Sequence, residues 1–402
     1  MRRAELLIVL FSLLIASSCA SDRGLQNTIY EGIYEVEPDF GHTMYVRQAT
    51  KDSAWVYLQL DGDDLTNAGD QLSTLSLQLE VRGLAGSGRR DTLLMTLDPQ
   101  DLVSRQSILH ARTSIALKDT LDLELLGFLD TGKKSGNRTI LSFREAMEGR
   151  YRDIKVNDIP KAHCACSDGD QVTVRVHGWE SGKVEMITAD VEQDLPPPPF
   201  SINGTPEPEF VEFDSQMVTY DGELRFPCPE DDALIIRHMD SGEEMILPVL
   251  GPDYPRIMDY EAMKSSLRYL TTSTEYEDLA FAEDSRKAIE EFWLSCDEDK
   301  ERAKRLMSSF YGRVREANTY FTEAVEGWRT DRGLVYVVYG PPERVLRTAR
   351  QEIWYYGAEG SMESFQLGFY HNGQAYLDRS LDYRPSWYLT VDSWRSGRTL
   401  TP

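Results

Sequence analysis

The sequence predicts a multidomain protein, with one or more all-β antiparallel sandwiches in its N-terminal part and an α+β domain after them. Three observations predict this order. Short apolar or alternating segments, separated by turn residues, recur from residue 27 to about residue 250. Three helical patterns follow between residues 259 and 325. Short apolar segments then return, and strands grouped apart from helices are typical of α+β domains.

The first β-rich part is placed at residues 27–152. The run from Leu75 to Val81 alternates apolar and polar residues, which is the pattern of a half-buried strand. Strands are predicted on this run and on others of similar character: Met44–Val46, Ala54–Leu60, Leu72–Val81, Thr92–Leu97, Ile108–Leu117 and Leu121–Phe128. Their spacing favours an antiparallel sandwich.

A second β-rich part is placed at residues 153–256. Its strands are expected at Val172–Val176, Val184–Ala189, Met217–Tyr220, Ala233–Arg237 and Glu244–Val249. Turn residues at Trp179–Gly182 and Asp240–Gly242 predict a hairpin at each place. The stretch 195–208 contains four consecutive prolines, so it is expected to be stiff and extended, as a linker or a long crossing loop.

The C-terminal α+β domain is placed at residues 257–380, and residues 381–402 are left as a tail. Three helices are expected, at Asp259–Leu270, Ala282–Ser295 and Asp297–Val325, with acidic residues capping the starts of the second and third. A small antiparallel sheet should follow, with strands at Leu334–Tyr339, Ile353–Tyr356, Phe365–Tyr370 and Gln374–Leu377. The dipeptide Asn372-Gly373 predicts a hairpin between the last two strands.

The first residues have the order of an export signal. Arg2 and Arg3 precede an apolar run from Leu6 to Ala16. That run is too short to cross a bilayer, because a span needs roughly 20 apolar residues. Small residues then lead to Cys19, in a sequence that resembles a lipobox. Residues 1–18 are therefore predicted to be a signal peptide.

Cys19 is predicted to be acylated, with residues 19–26 as its tether. Acyl chains give stable anchoring because each buried methylene adds about 0.8 kcal/mol. A plain secretory signal is the alternative, since Ala16 stands where a lipobox usually has leucine. Ala20 resembles the pattern of lipoproteins sent to the outer membrane. The sequence leaves open whether the protein would face the periplasm or the cell surface.

The charge balance limits the partners. The chain has 67 acidic and 43 basic residues, for a net charge of −24. Such a surface repels phosphates, which argues against nucleic acid and against adhesion to anionic lipid headgroups. Membrane attachment would therefore come from the lipid anchor, and the expected partners are other envelope proteins.

Cysteine usage leaves several readings open. An oxidising envelope permits disulfides, and the four cysteines after Cys19 allow three connectivities. Cys164 and Cys166 are not expected to bridge each other, because an extended chain holds their Cα atoms about 6.6 Å apart. With His163 they form a weak candidate metal site, but a loop before the next strand is the favoured interpretation.

The segment 327–356 carries a resemblance. Gly327-Trp328-Arg329-Thr330-Asp331 stands ahead of Gly340-Pro341-Pro342-Glu343 and of Trp354. This resembles the GWxTD-domain family of bacterial envelope proteins over roughly residues 258–380. The resemblance implies a β-rich protein with this domain near its C-terminal end, and the family carries no established activity. A mild departure is Glu343, where the family usually has aspartate.

The motif residues have turn and packing chemistry, and a structural role is the favoured interpretation. The residues concerned are Gly327, Trp328, Thr330, Asp331, Arg332, Gly333, Gly340, Pro341 and Trp354. Gly327 is expected to end the preceding helix, and Gly333 to permit an unusual backbone angle. Asp331 and Glu343 are weak candidates for a catalytic carboxylate pair, if burial separates their pKa values.

Function is the least determined part. The sequence contains no nucleophile elbow, phosphate loop or metal-binding helix motif, and no cofactor is expected. The leading hypothesis is an envelope lipoprotein that acts in protein–protein interaction or scaffolding at a membrane surface. One alternative is a carboxylate-dependent hydrolase of envelope glycans or peptides. Another is carbohydrate binding by exposed aromatic residues near the C-terminus, namely Tyr383, Trp387, Tyr388 and Trp394.

Overall fold

The structure of the protein is a computed structural model. The described residues are 28–31, 42–50, 53–61, 76–83, 90–96, 103–105, 108–116, 123–130, 134–137, 152–161, 163–176, 179–347, 351–358, 360–361, 364–372 and 374–398. Side chains are described from residue 154 onward. The predicted signal peptide, Cys19 and the tether lie outside the described residues.

The described part of residues 28–137 consists of strands. They are β1 (Thr28–Glu31), β2 (His42–Thr50), β3 (Ser53–Asp61), β4 (Ser76–Gly83), β5 (Arg90–Thr96), β6 (Val103–Arg105), β7 (Ile108–Ala116), β8 (Leu123–Asp130) and β9 (Lys134–Asn137). Strands β2 to β9 form two four-stranded antiparallel sheets, in the orders β2-β3-β7-β6 and β5-β4-β8-β9.

Residues 152–250 contribute two further sheets. Their strands are β10 (Arg152–Val156), β11 (Ile159–Lys161), β12 (Cys164–Ala165), β13 (Gln171–Val176), β14 (Gly182–Glu192), β15 (Glu209–Tyr220), β16 (Leu224–Pro227), β17 (Ala233–His238) and β18 (Glu244–Leu250). The sheet orders are β11-β10-β13-β16 and β12-β18-β17-β14-β15, antiparallel except for the pair β12–β18. Alternating apolar residues of both sheets, such as Val174 and Met186, share one buried cluster.

One of the two predicted hairpins in this part is confirmed and the other is wrong. Strands β17 and β18 pair around Asp240–Gly242. Strands β13 and β14, on either side of Trp179–Gly182, belong to different sheets. The connection crosses from one sheet to the other, and the ring of Trp179 packs against Tyr220 and His238. The aromatic residue marks packing at this crossing and not a tight turn.

The C-terminal part contains six α-helices among the described residues: α1 (Tyr260–Ser266), α2 (Ser273–Ala280), α3 (Ser285–Cys296), α4 (Lys300–Phe321), α5 (Asp331–Tyr339) and α6 (Arg384–Arg395). Asp284 and Asp299 cap α3 and α4, as predicted from the acidic residues there. A sheet of β1, β19 (Arg344–Arg347), β20 (Gln351–Tyr356), β21 (Phe365–Asn372) and β22 (Gln374–Leu377) completes this part, in the order β1-β19-β20-β21-β22. The predicted hairpin at Asn372 is confirmed.

The segment Leu334–Tyr339, predicted as a strand, is the central helix α5. Its residues from Asp331 to Val338 are all buried, and every position from Leu334 to Val338 is apolar or aromatic, so this run has no alternation of apolar and polar faces. Periodicity alone cannot distinguish a short buried helix of apolar and β-branched residues from a buried strand. The signals for a helix were the cap residues, Thr330 before it and Gly340 after it.

The core of the C-terminal part is rich in aromatic rings. Trp293, Phe310, Phe321, Tyr336 and Trp354 are all nearly or fully buried and belong to one cluster. Helix α6 packs on this cluster through Trp387 and Trp394, so the segment first set apart as a tail contributes to the core. No helix among the described residues is both long enough and apolar enough to cross a bilayer.

Candidate functional site

The motif residues form a buried turn between α4 and α5. Helix α4 ends at Phe321, and Gly327–Arg329 is a separate turn of 3₁₀ helix, so the expectation that Gly327 ends α4 is wrong. A Cβ atom on Gly327 would lie 2.0 Å from the carbonyl oxygen of Ala317. A Cβ atom on Gly333 would lie 1.9 Å from the carbonyl oxygen of Gly327. Both glycines are therefore needed for close packing, and Gly333 is not needed for an unusual backbone angle.

Trp328 fixes this turn to the helices. Its side chain is 2% exposed, and its ring meets the ring of Tyr269 edge-on, with 6.1 Å between centroids. The peptide N–H of Trp328 donates to Oδ1 of Asn318 over 3.1 Å, and its carbonyl accepts from the hydroxyl of Tyr269 over 2.8 Å. The buried Asn318 in turn donates to the carbonyl of Pro255.

Thr330 is the N-cap of α5. Its hydroxyl accepts from the N–H of Gly333 over 3.0 Å and donates to the carbonyl of Gly327 over 2.8 Å. The Thr330 side chain thus bonds one N–H group that has no partner within the helix, and it also closes the turn before the helix. Caps of this type contribute about 1 kcal/mol.

Asp331 is the centre of a buried group of hydrogen bonds with Thr205, Leu377 and Arg379, which we call the clasp. Its Oδ2 accepts from the peptide N–H of Leu377 over 2.7 Å and from Nη1 of Arg379 over 3.1 Å. Its Oδ1 accepts from the hydroxyl of Thr205 over 2.6 Å and from Nη2 of Arg379. Each carboxylate oxygen therefore already accepts two hydrogen bonds, which fits the positioning of α5 against β22 better than proton transfer to a substrate.

Arg379 extends the clasp to the proline-rich stretch 195–208. Its Nη2 also donates to the carbonyl of Pro197 over 3.0 Å and lies 2.9 Å from the hydroxyl of Thr205. The peptide N–H of Ser380 donates to the carbonyl of Pro199 over 3.1 Å. The stretch is thus a crossing loop laid over the C-terminal part, which was one of the two expectations for it. We call this stretch the proline strap.

Arg332 joins two buried carboxylates. Its guanidinium lies 2.9 Å from Glu323 and 3.5 Å from Glu352, and it stacks over the ring of Phe321 at 5.2 Å. Burial raises the pKa of Glu323, and the neighbouring Arg332 opposes this effect. The fully buried Glu352 accepts from the indole N–H of Trp354 over 2.6 Å. The network ties α5 to β20.

The other end of α5 is closed by Gly340. Its φ of +89° is the conformation that favours glycine, and its N–H donates to the carbonyl of Tyr336. The carbonyl of Val338 accepts from Arg313 and from the indole N–H of Trp394. Gly340 therefore stands at the end of a helix whose last carbonyls are capped by side chains.

Glu343, the second candidate carboxylate, is placed differently from Asp331. Its side chain is exposed, and its peptide N–H donates to the carbonyl of Tyr355. The Asp331 carboxylate is 1% exposed and paired with Arg379. Within residues 154–398, no described hydrogen bond or ion pair links the side chain of Asp331 to that of Glu343. The geometry thus gives Asp331 a structural role and Glu343 a place at the surface.

The weak candidate metal site contains a disulfide. Cys166 is bonded to Cys228, with 6.0 Å between their Cα atoms, so it is not a thiolate ligand. Cys164 and Cys296 are buried thiols, and the sulfur of Cys164 lies 3.8 Å from that of Cys166. His163 meets the ring of Tyr254 edge-on. Within the described ranges, no cluster of three or more His, Cys, Asp or Glu side chains is arranged to hold a metal ion.

The C-terminal aromatic residues are mostly part of the core. Trp387 and Trp394 are 5% and 4% exposed, so the expectation that they are exposed is wrong. Tyr383 is half-buried, and only Tyr388, at 52% exposed, presents a large part of its ring to solvent. Helix α6 has both tryptophans on its inner face because Trp387 and Trp394 are seven positions apart, which is about two helical turns.

A cleft of about 380 Å³ lies beside the motif turn. One wall is the segment after β18, including Tyr254 and Arg256, and the other includes Glu326 and Arg329. Arg329 pairs with Glu326 over 3.1 Å and donates to the carbonyl of Gln193. The charged groups of this wall are thus engaged with each other and with the backbone.

Several residues of the site had no signal in the sequence. Thr205 and Arg379 lie 174 positions apart, and only the fold brings them together. Glu323 and Glu352 were ordinary acidic residues in an acidic chain. Asn318 lies within the helix predicted at Asp297–Val325, but its bond to the Trp328 peptide could not be predicted from the sequence.

The fold and the buried turn define the class of protein. It has β-sheets followed by an aromatic-rich α+β domain that is organised around the buried turn Trp328–Asp331. Residues 234–396 match the model of the GWxTD domain, so the chain contains a GWxTD domain. The match begins inside β17 and includes α6. No curated protein matches the chain.

Proposed function

We propose that this protein is a bacterial envelope lipoprotein, acylated at Cys19, that binds other envelope proteins at a membrane surface. The observation that carries the proposal is the use of the motif's polar groups inside the fold. Asp331, Arg332 and Thr330 each bond to other parts of the chain, so the motif serves to hold elements together. A domain of this kind is suited to presenting surfaces to partners.

The proposal includes the arrangement of the N-terminal part. We propose that β2 to β9, within residues 27–152, form a β-sandwich, and that the predicted tether lies between the anchor and β1, which belongs to the C-terminal sheet. The two four-stranded antiparallel sheets of β2 to β9 support this arrangement. The described residues offer no observation that favours the hydrolase or the carbohydrate-binding alternative.

Anchoring can be tested by fractionation. The full chain is compared with Cys19→Ser after expression in a diderm bacterium, and each is assayed in membrane and soluble envelope fractions. We expect the parent in the membrane fraction and the variant in the soluble one, with acyl chains on Cys19 by mass spectrometry. An unmodified Cys19 would overturn the anchor.

Partner binding can be tested by crosslinking in intact cells. The tagged full chain is crosslinked, solubilised and purified, with an unrelated acylated protein of similar charge as the control. We expect one or more envelope proteins that the control does not capture. Capture of the same proteins by both chains would contradict a specific binding function.

A further inference from the structure

Strand β15 is an edge strand that is uncovered on both faces. It is the last strand in its sheet, and it pairs with β14 from Glu209 to Tyr220 except at Phe213, where the register shifts by one residue. Every side chain from Val211 to Met217 is exposed. Because neighbouring residues of a strand point to opposite faces, neither face of β15 is packed over this stretch. No strand in the described parts of the chain pairs with its outer edge.

The length of this edge is unusual. β15 has 12 residues, whereas strands typically have about 5–6. An edge presents a row of unpaired peptide N–H and C=O groups, and natural proteins usually keep such edges short or covered. The large apolar side chains Val211, Phe213 and Met217 are 39%, 59% and 54% exposed beside it. A long open edge with apolar side chains is a template for strand addition.

Both ends of β15 are held in place. At one end the buried Tyr220 donates its hydroxyl to the carbonyls of Val176 and Gly222. At the other end Phe210 packs against the cluster of Ile187, Ala189 and Ile235. The exposed stretch between them is therefore presented as a formed strand, which lowers the entropic cost of adding another.

The charges of β15 indicate which strand would fit. Glu209, Glu212 and Asp214 are exposed, and the strand contains no basic residue. An antiparallel second copy would set this acidic half against the uncharged half of the other strand, which gives no charge complementarity. The net charge of −24 on each chain disfavours such a pair. A basic strand would instead place opposite charges across the new pair.

We propose that the outer edge of β15 binds an extended segment of another protein that carries basic and apolar residues on both of its faces, by adding it to the sheet as a further strand. This inference rests on the proposed function and names its surface and partner chemistry. The backbone of Glu209–Tyr220 supplies the hydrogen bonds. Because the register shifts at Phe213, Glu212 and Asp214 lie on opposite faces, and each selects a basic residue on its own face. Val211 and Met217 likewise contact apolar residues on opposite faces.

The probe is a blocked ten-residue peptide of lysine, valine and threonine that has lysine on both faces when extended, titrated into the full chain. Two matched peptides serve as controls: one with glutamate in place of lysine, and one with N-methyl groups on alternate peptide nitrogens. We expect binding of the lysine peptide only, with slower amide hydrogen exchange in β15. Equal binding of the N-methylated peptide would overturn strand addition, because that peptide keeps the charge and lacks the backbone donors.

The contribution of the acidic side chains of β15 to binding is tested with the double variant Glu212→Lys/Asp214→Lys. The control is Glu277→Lys/Asp278→Lys, which makes the same charge change at exposed positions in α2. We expect the first pair to weaken binding about tenfold, because each substitution replaces an exposed ion pair with a like-charge contact. The control pair should change binding less than twofold. Equal weakening by both would overturn recognition at β15.

The same variants separate this inference from the proposed function. If crosslinked partners are all retained by Glu212→Lys/Asp214→Lys, the protein binds partners but not through β15. If the parent chain captures no specific partner while the lysine peptide binds β15, the edge is a strand acceptor and the proposed cellular function is wrong. Loss of a partner in the edge variant alone supports both.

Discussion

The carboxylate of Asp331 and the guanidinium of Arg379 form a two-pronged buried ion pair, although the residues lie 48 positions apart. Their side chains are 1% and 6% exposed. Removing one member of such a pair leaves the other charge buried without compensation. Substitution of Asp331 therefore tests whether the motif stabilises the fold or takes part in a reaction.

Asp331→Asn should destabilise the C-terminal part by about 3–5 kcal/mol, because it leaves the Arg379 charge uncompensated. Amide hydrogen exchange at Leu377 and in α5 measures this loss locally. Glu343→Gln is the matched control at an exposed carboxylate, with an expected change of less than about 0.5 kcal/mol. A similar effect of both substitutions would contradict the clasp.

Gly327→Ala should prevent the motif turn from closing, because its Cβ atom would collide with the backbone of Ala317. We expect a loss of at least about 3 kcal/mol, at the upper end of overpacking effects. The control is Gly312→Ala, where a Cβ atom in α4 meets nothing within 4 Å. That change should stabilise the protein by about 0.5–1 kcal/mol, since alanine favours helix. Thermal unfolding followed by circular dichroism separates the two, and a stable Gly327→Ala protein would contradict the close approach.

Reduction of Cys166–Cys228 should destabilise residues 152–250 by roughly 4 kcal/mol, the loop-closure value for a bridge of this span. The bridge joins positions 62 residues apart. Limited proteolysis with and without reductant measures the effect, and Cys228→Ala should reproduce it. Cys296→Ala controls for removal of a buried thiol that forms no disulfide. If reductant changes the Cys228→Ala protein as much as the parent, another bond is responsible.

Glu316 should make stability fall as pH rises. Burial raises the pKa of Glu316 above its ordinary value of 4.5, so the folded state binds the proton more tightly than the unfolded state. The free energy of unfolding should therefore decrease from pH 4.5 up to the raised pKa. Glu316→Gln should remove this decrease while still accepting from the hydroxyl of Tyr336. Urea unfolding at a series of pH values measures it.

Glu275→Gln is the control, because the contribution of Glu275 to the free energy of unfolding changes with pH in the opposite direction. A hydrogen bond from the backbone N–H of Thr272, with Arg395 nearby, lowers the pKa of Glu275. The parent should thus lose this contribution as pH falls through that pKa, and the variant should not show the loss. An unchanged pH profile for Glu316→Gln would show that its carboxyl is not perturbed by burial.

The sequence predicted elements where local patterns decide the structure. The stripe of α4, the acidic caps of α3 and α4 and the hairpin at Asp240–Gly242 are local features, and all three are confirmed. The failures are places where packing overrides local pattern. Helix α5 is enclosed on all sides, so its apolar run shows no helical period.

The site itself was predictable only in part. The motif located the buried turn, and residue types such as Thr330 indicated capping. The partners of Asp331 and Arg332 come from distant segments, because a buried charge is satisfied by whatever the fold brings near it. A single sequence carries no signal for such pairs.

The proline strap changes what counts as the C-terminal unit. A fragment that starts at residue 234, where the family match begins, lacks Pro197 and Thr205. Its Arg379 would keep Asp331 and lose both of its contacts to the strap. It would also lack β14 and β15, leaving β17 with a bare edge. The segment that sequence comparison delimits is therefore smaller than the unit that these contacts form. Because β1 pairs with β19, expression boundaries should be drawn upstream of residue 28.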